Sequence, residues 1–350
     1  MKLIDSLLEQ MLDQNGSDLH LCTDAPPRIR VNGTLRNLGK DPLPAPELRG
    51  MLCEMVVPDR WEQFEGSGSD IDAAHEIPRG ERFRMNIFRS AAGIGAVLRQ
   101  IPSQIPIIDD LGLPQCLKKL SKYSSGLVLV TGPTGSGKST TLAAIIHHIN
   151  QHEKKHIITI EDPVEFTHKS LQSTIVHREV GTHTHSYANG LRSAMRSDPD
   201  VMLIGEMRDM ETIRLGLDCA SMGMLVFATL HTNSAAKTID RIINAFPSDQ
   251  KNQIRIVLAQ SLRAIVAQLL CNKAAGGRVA AHEILLSHLA LPNTIRTGSL
   301  SNLNNIITQN RDMGMISMDV SLQHLLKQGI ITQEEAYMKA LNKGSFSLSS

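Results

Sequence analysis

The chain has 350 residues, 41% hydrophobic and 20% charged, the profile of a soluble globular protein with enough length for two domains. Lys and Arg number 36 against 35 Asp and Glu, and aromatic residues are only 3%, so there is neither a bulk positive field nor a supply of stacking platforms, and no nucleic acid is expected as a partner. No run of eighteen uncharged apolar residues occurs, which argues against membrane insertion, and Cys22, Cys53, Cys116, Cys219 and Cys271 form no C-x-x-C pair, so buried free thiols are expected rather than metal ligands.

The amino-terminal stretch MKLIDSLLEQMLDQNGSD places Leu3, Leu7, Leu8, Met11 and Leu12 in a helical stripe and lacks a signal-peptide apolar run, so a cytoplasmic location is expected. DLHLCT and RIRVNGTLRNL follow as short strands, the latter turning at Asn32-Gly33. A proline-rich break, KDPLPAPE, precedes another helix, and ERFRMNIFRSAAGIGAVLRQI reads as two alternating strands about Gly93. Residues 1–100 are therefore expected to form one α+β domain. Residues 101–115, IPSQIPIIDDLGLPQ, carry three prolines and are the linker candidate. Beyond them the character changes. GLVLVTG (126–132), HIITI (156–160), VMLIG (201–205) and LVFATL (225–230) are apolar runs too short for helices, with helical patterns between them. That alternation indicates an α/β core with a parallel sheet and crossover helices, expected over 116–288. Residues 289–350 read as mostly helical, with a serine-rich end expected to fray.

GPTGSGKST, from Gly132 through Pro133, Thr134, Gly135, Ser136, Gly137, Lys138 and Ser139 to Thr140, fits G-x-x-x-x-G-K-[ST] between an apolar strand and a helical pattern. Glycines let backbone N–H groups wrap a phosphate, and the helix terminus adds partial positive charge. Lys138 would reach the β- and γ-phosphates of ATP, and the Ser139 hydroxyl would ligate Mg²⁺. DPDVMLIGEMRD then acquires a purpose: Glu206 ends an apolar strand expected to lie beside the P-loop strand, where it can hold Mg²⁺ through water or act on the attacking water. Gly205 is expected to permit close packing against the P-loop. HIITIEDPVEF ends in Glu161, Asp162 and Glu165, one of which is placed to orient the lytic water; spacing alone leaves open which carboxylate takes the proton. LVFATLHT brings Thr229 and His231 to the same edge as candidate γ-phosphate sensors.

Together these residues resemble the secretion ATPase superfamily, specifically the type IV pilus twitching-motility (PilT-like) retraction ATPases, over nearly the whole chain. GSDLHL and RFRMNIF look like that family's PAS-like amino-terminal domain; GPTGSGKSTT looks like its Walker A motif and TIEDPVEF its Asp box. LRSAMRSDPDVMLIGEMRD matches its Walker B segment, LVFATLHTNSAAKTIDRI most of its His box, and GGRVAAHEILL the segment that follows. The resemblance implies a PAS-like α+β domain followed by a RecA-like P-loop ATPase domain and carboxyl-terminal helices. It implies a hexameric ring at the cytoplasmic side of the inner membrane, working on a pilus platform protein and alongside a paralogous pilus ATPase. It also implies an ATP site completed by arginines of the amino-terminal side, for which Arg82, Arg84, Arg89 and Arg99 are the candidates, although arginines alternating on strands also simply line a wet face.

Two departures stand out. A histidine usual in a TGHL context is replaced by Met224 in MGML, and a carboxyl-terminal AIRNLIRE-type motif is ALPNTIRTGSL here, keeping Ile295 and Arg296. The second bears on whether the chain is a main or an accessory retraction motor, and the first leaves room for a non-hydrolysing, nucleotide-gated module. Extension and secretion ATPases of the superfamily carry a four-cysteine zinc site, for which only Cys219 and Cys271 lie past Glu206.

Overall fold

A computed structural model describes residues 2–101 and 104–346. The chain forms two compact units, one of Met1–Gln104 with Asp162–Thr167 and Arg178–Ser186, the other of Ile105–Glu161, His168–His177 and Tyr187–Ser350. Residues 347–350, part of the serine-rich end, and residues 102 and 103 of the proline-rich segment lie outside the described residues.

In the first unit, α1 (Leu3–Asp13) is followed by β1 (Asp18–Cys22), β2 (Arg28–Val31), β3 (Thr34–Asn37), α2 (Ala45–Cys53), α3 (Pro58–Ser67), β4 (Ile71–Glu76), β5 (Arg82–Ser90) and β6 (Gly93–Ile101). The strands form one antiparallel sheet in the order β3-β2-β1-β6-β5-β4. Alternation on β5 buries Phe83, Met85 and Ile87 and turns Arg82 and Arg84 to the other face, as the period of two demands. The buried stripe of α1 is Ile4, Leu8 and Met11; Leu3, read as part of it, is 50% exposed. Asn32 and Gly33 both take positive φ, the requirement of a two-residue hairpin turn whose twist suits the strands.

The second unit contains β7 (Gly126–Thr131), α4 (Lys138–His152), β8 (His156–Glu161), β9 (Thr174–Glu179, whose last two residues group with the first unit), α5 (Tyr187–Ala194), β10 (Val201–Ile204), α6 (Met210–Ser221), β11 (Leu225–Leu230), α7 (Ala235–Asn244), α8 (Lys251–Ser261), β12 (Leu262–Asn272) and β13 (Arg278–Leu286). Its sheet runs β13-β12-β7-β11-β10-β8-β9. The register makes β12, β7, β11, β10 and β8 parallel neighbours. Leu127, Val128, Leu129 and Val130 of β7 are fully buried because both faces of a parallel sheet are covered, which explains an unbroken apolar run in place of alternation.

One expectation is corrected here. The strand ending near Glu206, β10, does not adjoin the P-loop strand β7; β11 lies between them. Apolar β11 can satisfy hydrogen bonds on both sides, and strand order is a tertiary choice that a run of buried residues does not encode. Because all three strands are parallel, their carboxyl ends still share one edge.

The helices α9 (Leu291–Thr297), α10 (Leu303–Gln309), α11 (Met318–Lys327) and α12 (Gln333–Lys339) follow. Met318, Leu322, Ile331, Ala336 and Phe346 pack with Cys271 of β12 and Ala281 of β13 in one apolar cluster. Glu283 of β13 is buried at 4% exposure and accepts the N–H groups of Ala235 (2.8 Å) and Met318, the first residues of α7 and α11. Burial raises its carboxyl pKa and those two donors oppose the rise. All five cysteines are free; Cys116, Cys219 and Cys271 are buried, whereas Cys22 is exposed and Cys53 half-buried, contrary to the expectation of buried thiols throughout. No described helix is long and apolar enough to cross a membrane.

Candidate functional site at the carboxyl edge of the parallel sheet

The loop from Gly132 to Gly137 joins the end of β7 to the start of α4. Its tip, Pro133 to Gly135, is exposed, whereas Ser136 and Lys138 are buried, with Ser139 and Thr140 half-buried on the first turn of the helix. Gly132 (φ 149°) and Gly137 (φ 86°) lie in backbone regions that disfavour a side chain, and a Cβ on either would strike Gln268 of β12. The Lys138 ammonium donates to the carbonyls of Gly132 (2.9 Å) and Pro133 (3.0 Å), so its charge is held over the loop. The buried Ser136 Oγ has no hydrogen-bond partner among the described residues. A glycine-rich loop running into a helix amino terminus beside a buried lysine is an anion-binding arrangement.

Glu206 stands on the same edge, beyond β10. Its carboxylate is bracketed: His231 Nε2 lies 2.9 Å from Oε1, and Arg208 Nε donates to Oε2 at 2.7 Å. Because a carboxylate accepts only, the His231 proton sits on Nε2. Glu206 is 16% exposed, while His231 and Arg208 are 44% and 65% exposed, so both of its partners face solvent. The strand end is fixed by its backbone: Gly205 N–H donates to Ile160 O (2.8 Å), Met207 N–H to Thr229 O (3.1 Å), and the Thr229 hydroxyl to Gly205 O. Thr229 is thereby committed to β10. Asp209 caps α6, accepting from Thr212 N–H (2.8 Å) and its hydroxyl (3.0 Å).

Gly205 has a different neighbour from the one expected. A Cβ there would lie 2.9 Å from Tyr187 Oη and 3.2 Å from Glu161 Cα, so the glycine permits close approach to β8 and α5, not to the P-loop. The interposed β11 is the reason. Met224 is also informative by its place: it precedes β11 at the amino end, and His231 follows at the carboxyl end. At about 3.3 Å rise per residue the two stand roughly 20 Å apart, at opposite edges of the sheet.

The Asp-box carboxylates divide between the units. Glu161 closes β8 in the second unit, 13% exposed, with His177 Nδ1 3.9 Å from Oε1. His177 Nε2 accepts the His168 N–H (3.0 Å), so Nδ1 carries the proton and donates to Thr159 Oγ1 (2.9 Å). Glu165 belongs to the first unit, where its carboxylate stands 3.7 Å from Arg84. Arg82 donates to Thr167 Oγ1 (2.5 Å) and lies 3.9 Å from Glu179. Arg82 and Arg84 thus gather on the segment carrying Glu165. The other two arginines are engaged elsewhere in the unit: Arg89 lies 5.1 Å over the Phe64 ring and donates to the carbonyls of Phe64 and Glu65, and Arg99 pairs with Asp18 at 2.7 Å.

Two residues that the sequence did not single out shape these segments. Glu179, 5% exposed, accepts the Val164 N–H (3.1 Å) and the Thr182 hydroxyl (3.0 Å), tying down the turn that bears Glu165. Gln268, 2% exposed on β12, bonds to Ser136 O (2.6 Å) and Thr141 Oγ1 (2.7 Å). A lone amide in the apolar run IVAQLL was the available signal for the second; Glu179 had none, because a strand-end carboxylate reads like any solvated one until the turn folds over it.

A family model described as "Type II/IV secretion system protein" matches residues 1–335. The chain is 44% identical over 337 residues to a Pseudomonas aeruginosa protein described as "Type IV pilus retractation ATPase PilT", covering 96% of this chain and 98% of the relative. It is 45% identical over 322 residues to a "Twitching motility protein" of Neisseria gonorrhoeae, covering 92% and 86%. Among solved structures it is similar to one titled "Crystal Structure of the Pilus Retraction Motor PilT and Bound ADP", with a TM-score of 0.90, 39% identity and coverage of 99% of this chain and 98% of that one.

Proposed function

The chain belongs to the type II/IV secretion system protein family, and on that premise we propose that it is an ATPase that hydrolyses ATP as a ring-shaped hexamer to drive type IV pilus retraction. The observation that carries the reading is the edge shared by a buried lysine in a glycine loop and a carboxylate held between His231 and Arg208. The relatives described as a pilus retraction ATPase and a twitching motility protein, each matched over nearly the full chain, support the pilus assignment.

In this reading the loop from Gly132 to Thr140 cradles the phosphates, and Lys138 moves from the loop carbonyls to the β- and γ-phosphates. The donor set suits Mg²⁺, a hard cation that favours oxygen: the Ser139 hydroxyl would hold it directly and Glu206 through water, and the ion would neutralise charge on the phosphates. Glu161 and Glu165 are the candidates for orienting the attacking water. His231, hydrogen-bonded to Glu206, reports the state of that carboxylate to the loop leading into α7. Arg82 and Arg84, gathered on the Glu165 segment, act on the nucleotide of a neighbouring subunit in the ring, where they neutralise charge developing on the γ-phosphoryl group. The ring works at the cytoplasmic face of the inner membrane on a platform protein. Met224 weighs little against hydrolysis, since it stands at the far edge of the sheet.

Purified protein is expected to turn over ATP with Mg²⁺, and Lys138→Ala or Glu206→Ala to abolish turnover. Mixing Lys138→Ala subunits with Arg84→Ala subunits should restore part of the activity if the sites are shared; no recovery at any ratio would argue for self-contained sites. Absence of hydrolysis by the parent under conditions where it forms rings would refute the motor. A deletion strain that is hyperpiliated and non-twitching marks a main retraction motor. A mild defect marks an accessory one, the alternative that the departure at ALPNTIRTGSL raises.

A further inference from the structure

The amide of Gln268 faces two groups of different kind. Ser136 O can only accept, so the Gln268 NH₂ must point at it, and the Gln268 oxygen must then accept from the Thr141 hydroxyl. The assignment follows from the chemistry of the partners. All three side chains are nearly inaccessible, at 2% for Gln268, 2% for Ser136 and 1% for Thr141. Gln268 therefore pins the Ser136 carbonyl of the loop and the first turn of α4 to a single point on β12. Its backbone is also the wall that excludes a Cβ at Gly132.

The consequence for the loop follows from peptide geometry. In a trans, planar peptide the C=O and the following N–H point in opposite directions. With Ser136 O drawn to Gln268, the Gly137 N–H is turned away from the Gln268 amide.

We propose that Gln268 is the positioning residue of the phosphate cradle: its side chain sets the Ser136–Gly137 peptide plane so that the Gly137 N–H is presented to the phosphates. This inference rests on the reading of the loop as an ATP site. Gln268 touches no reacting atom; it acts through the loop and through Thr141.

The test is ATP binding by the full-length protein, measured by titration calorimetry with Mg²⁺ present, for the parent, Gln268→Met, Gln268→Glu and Thr141→Val. Gln268→Met keeps the volume and removes both hydrogen bonds, and is expected to weaken binding about tenfold to a hundredfold, the usual worth of leaving a buried carbonyl unpaired. In steady-state assays the same change should appear mainly as a raised KM for ATP. Gln268→Glu supplies a readout that simple packing would not move. Ionised, its carboxylate repels Ser136 O; protonated, its hydroxyl can donate there. Its affinity relative to the parent is therefore expected to recover as the pH is lowered from 8 to 6. Thr141→Val should reproduce a smaller part of the loss. Gln268→Met binding within twofold of the parent, or a Gln268→Glu deficit independent of pH, would overturn the proposal. Should Gln268→Met fail to fold, the pH response of Gln268→Glu and the Thr141→Val affinity decide it in the same way. A parent that binds no ATP, with Lys138→Ala indistinguishable from it, would instead overturn the ATPase reading.

Discussion

Gly205→Ala tests whether the spacing between β8 and β10 governs the placement of Glu206. The added Cβ would sit 3.2 Å from Glu161 Cα, 2.9 Å from Tyr187 Oη and 3.4 Å from Ile160 O. Carbon pairs settle at about 3.5–4.0 Å; the Tyr187 hydroxyl must shift, and because Glu161 Cα and Ile160 O are backbone that cannot rotate away, the strands must part by roughly half an ångström. The Gly205 N–H to Ile160 O bond, 2.8 Å long, opposes that separation. Inserting a methyl group where packing is complete typically costs about 1–3 kcal/mol. In a unit of this size that lowers the thermal midpoint by about 3–10 °C. Glu206 follows Gly205 directly, and small misplacements of catalytic groups are expensive, so kcat should fall about tenfold. KM for ATP should stay within about threefold, because the P-loop is held by β12 and not by β10. A coupled phosphate-release assay and a thermal melt read both effects. Parental values of kcat and melting temperature would mean that β8 and β10 part freely, and the account of Gly205 would be wrong.

Burial holds the His282 pKa down at about 4, against 6.5 for the free side chain. The unfolded chain binds more protons between those values, so this contribution is complete above about pH 6.5 and is lost as the pH falls toward 4. On moving from pH 7.5 to 5, the parent should lose about 2 kcal/mol more stability than His282→Leu in denaturant titrations; equal losses would refute the assignment. Met224→His should change kcat by less than about twofold, because the strand separates it from the phosphate edge; a large change would restore that position to the mechanism. Arg89→Ala should lower the melting temperature through lost contacts with Phe64 and Glu65 and leave kcat near parental, whereas Arg84→Ala should depress kcat with little effect on stability.

The four strands β7, β8, β10 and β11 were legible because a doubly covered sheet makes each a short, continuous apolar run. The P-loop was legible because a phosphate cradle demands glycine at fixed spacing. β12 was not. Leu262 caps α8 and also begins β12, so a helix passes into a strand with no glycine or proline to mark the change, and IVLAQSLRAIVAQLL reads as one apolar stretch. The order of the strands was hidden for another reason: β11 and β10 are equally apolar, and only packing decides which lies next to β7. Glu206 was identified as a site residue, but its two partners came from opposite situations. Arg208 is local, and His231 is brought in by the neighbouring strand. Gln268 acts on a loop more than a hundred residues back along the chain, so spacing carried no trace of its role, and Glu179 gained its role only when the turn at Val164 folded against it.

Glu283 has a bearing on how far this chain can be trimmed. It satisfies the opening turns of α7 and α11 at once, and α7 begins just past His231. Deleting everything after α10 would remove one donor from an ionisable group that water cannot reach, and the remaining donor would be left to compensate the desolvation alone. The tail is therefore no detachable appendage. Its loss would loosen the seat of α7, and with it the histidine that leans on Glu206.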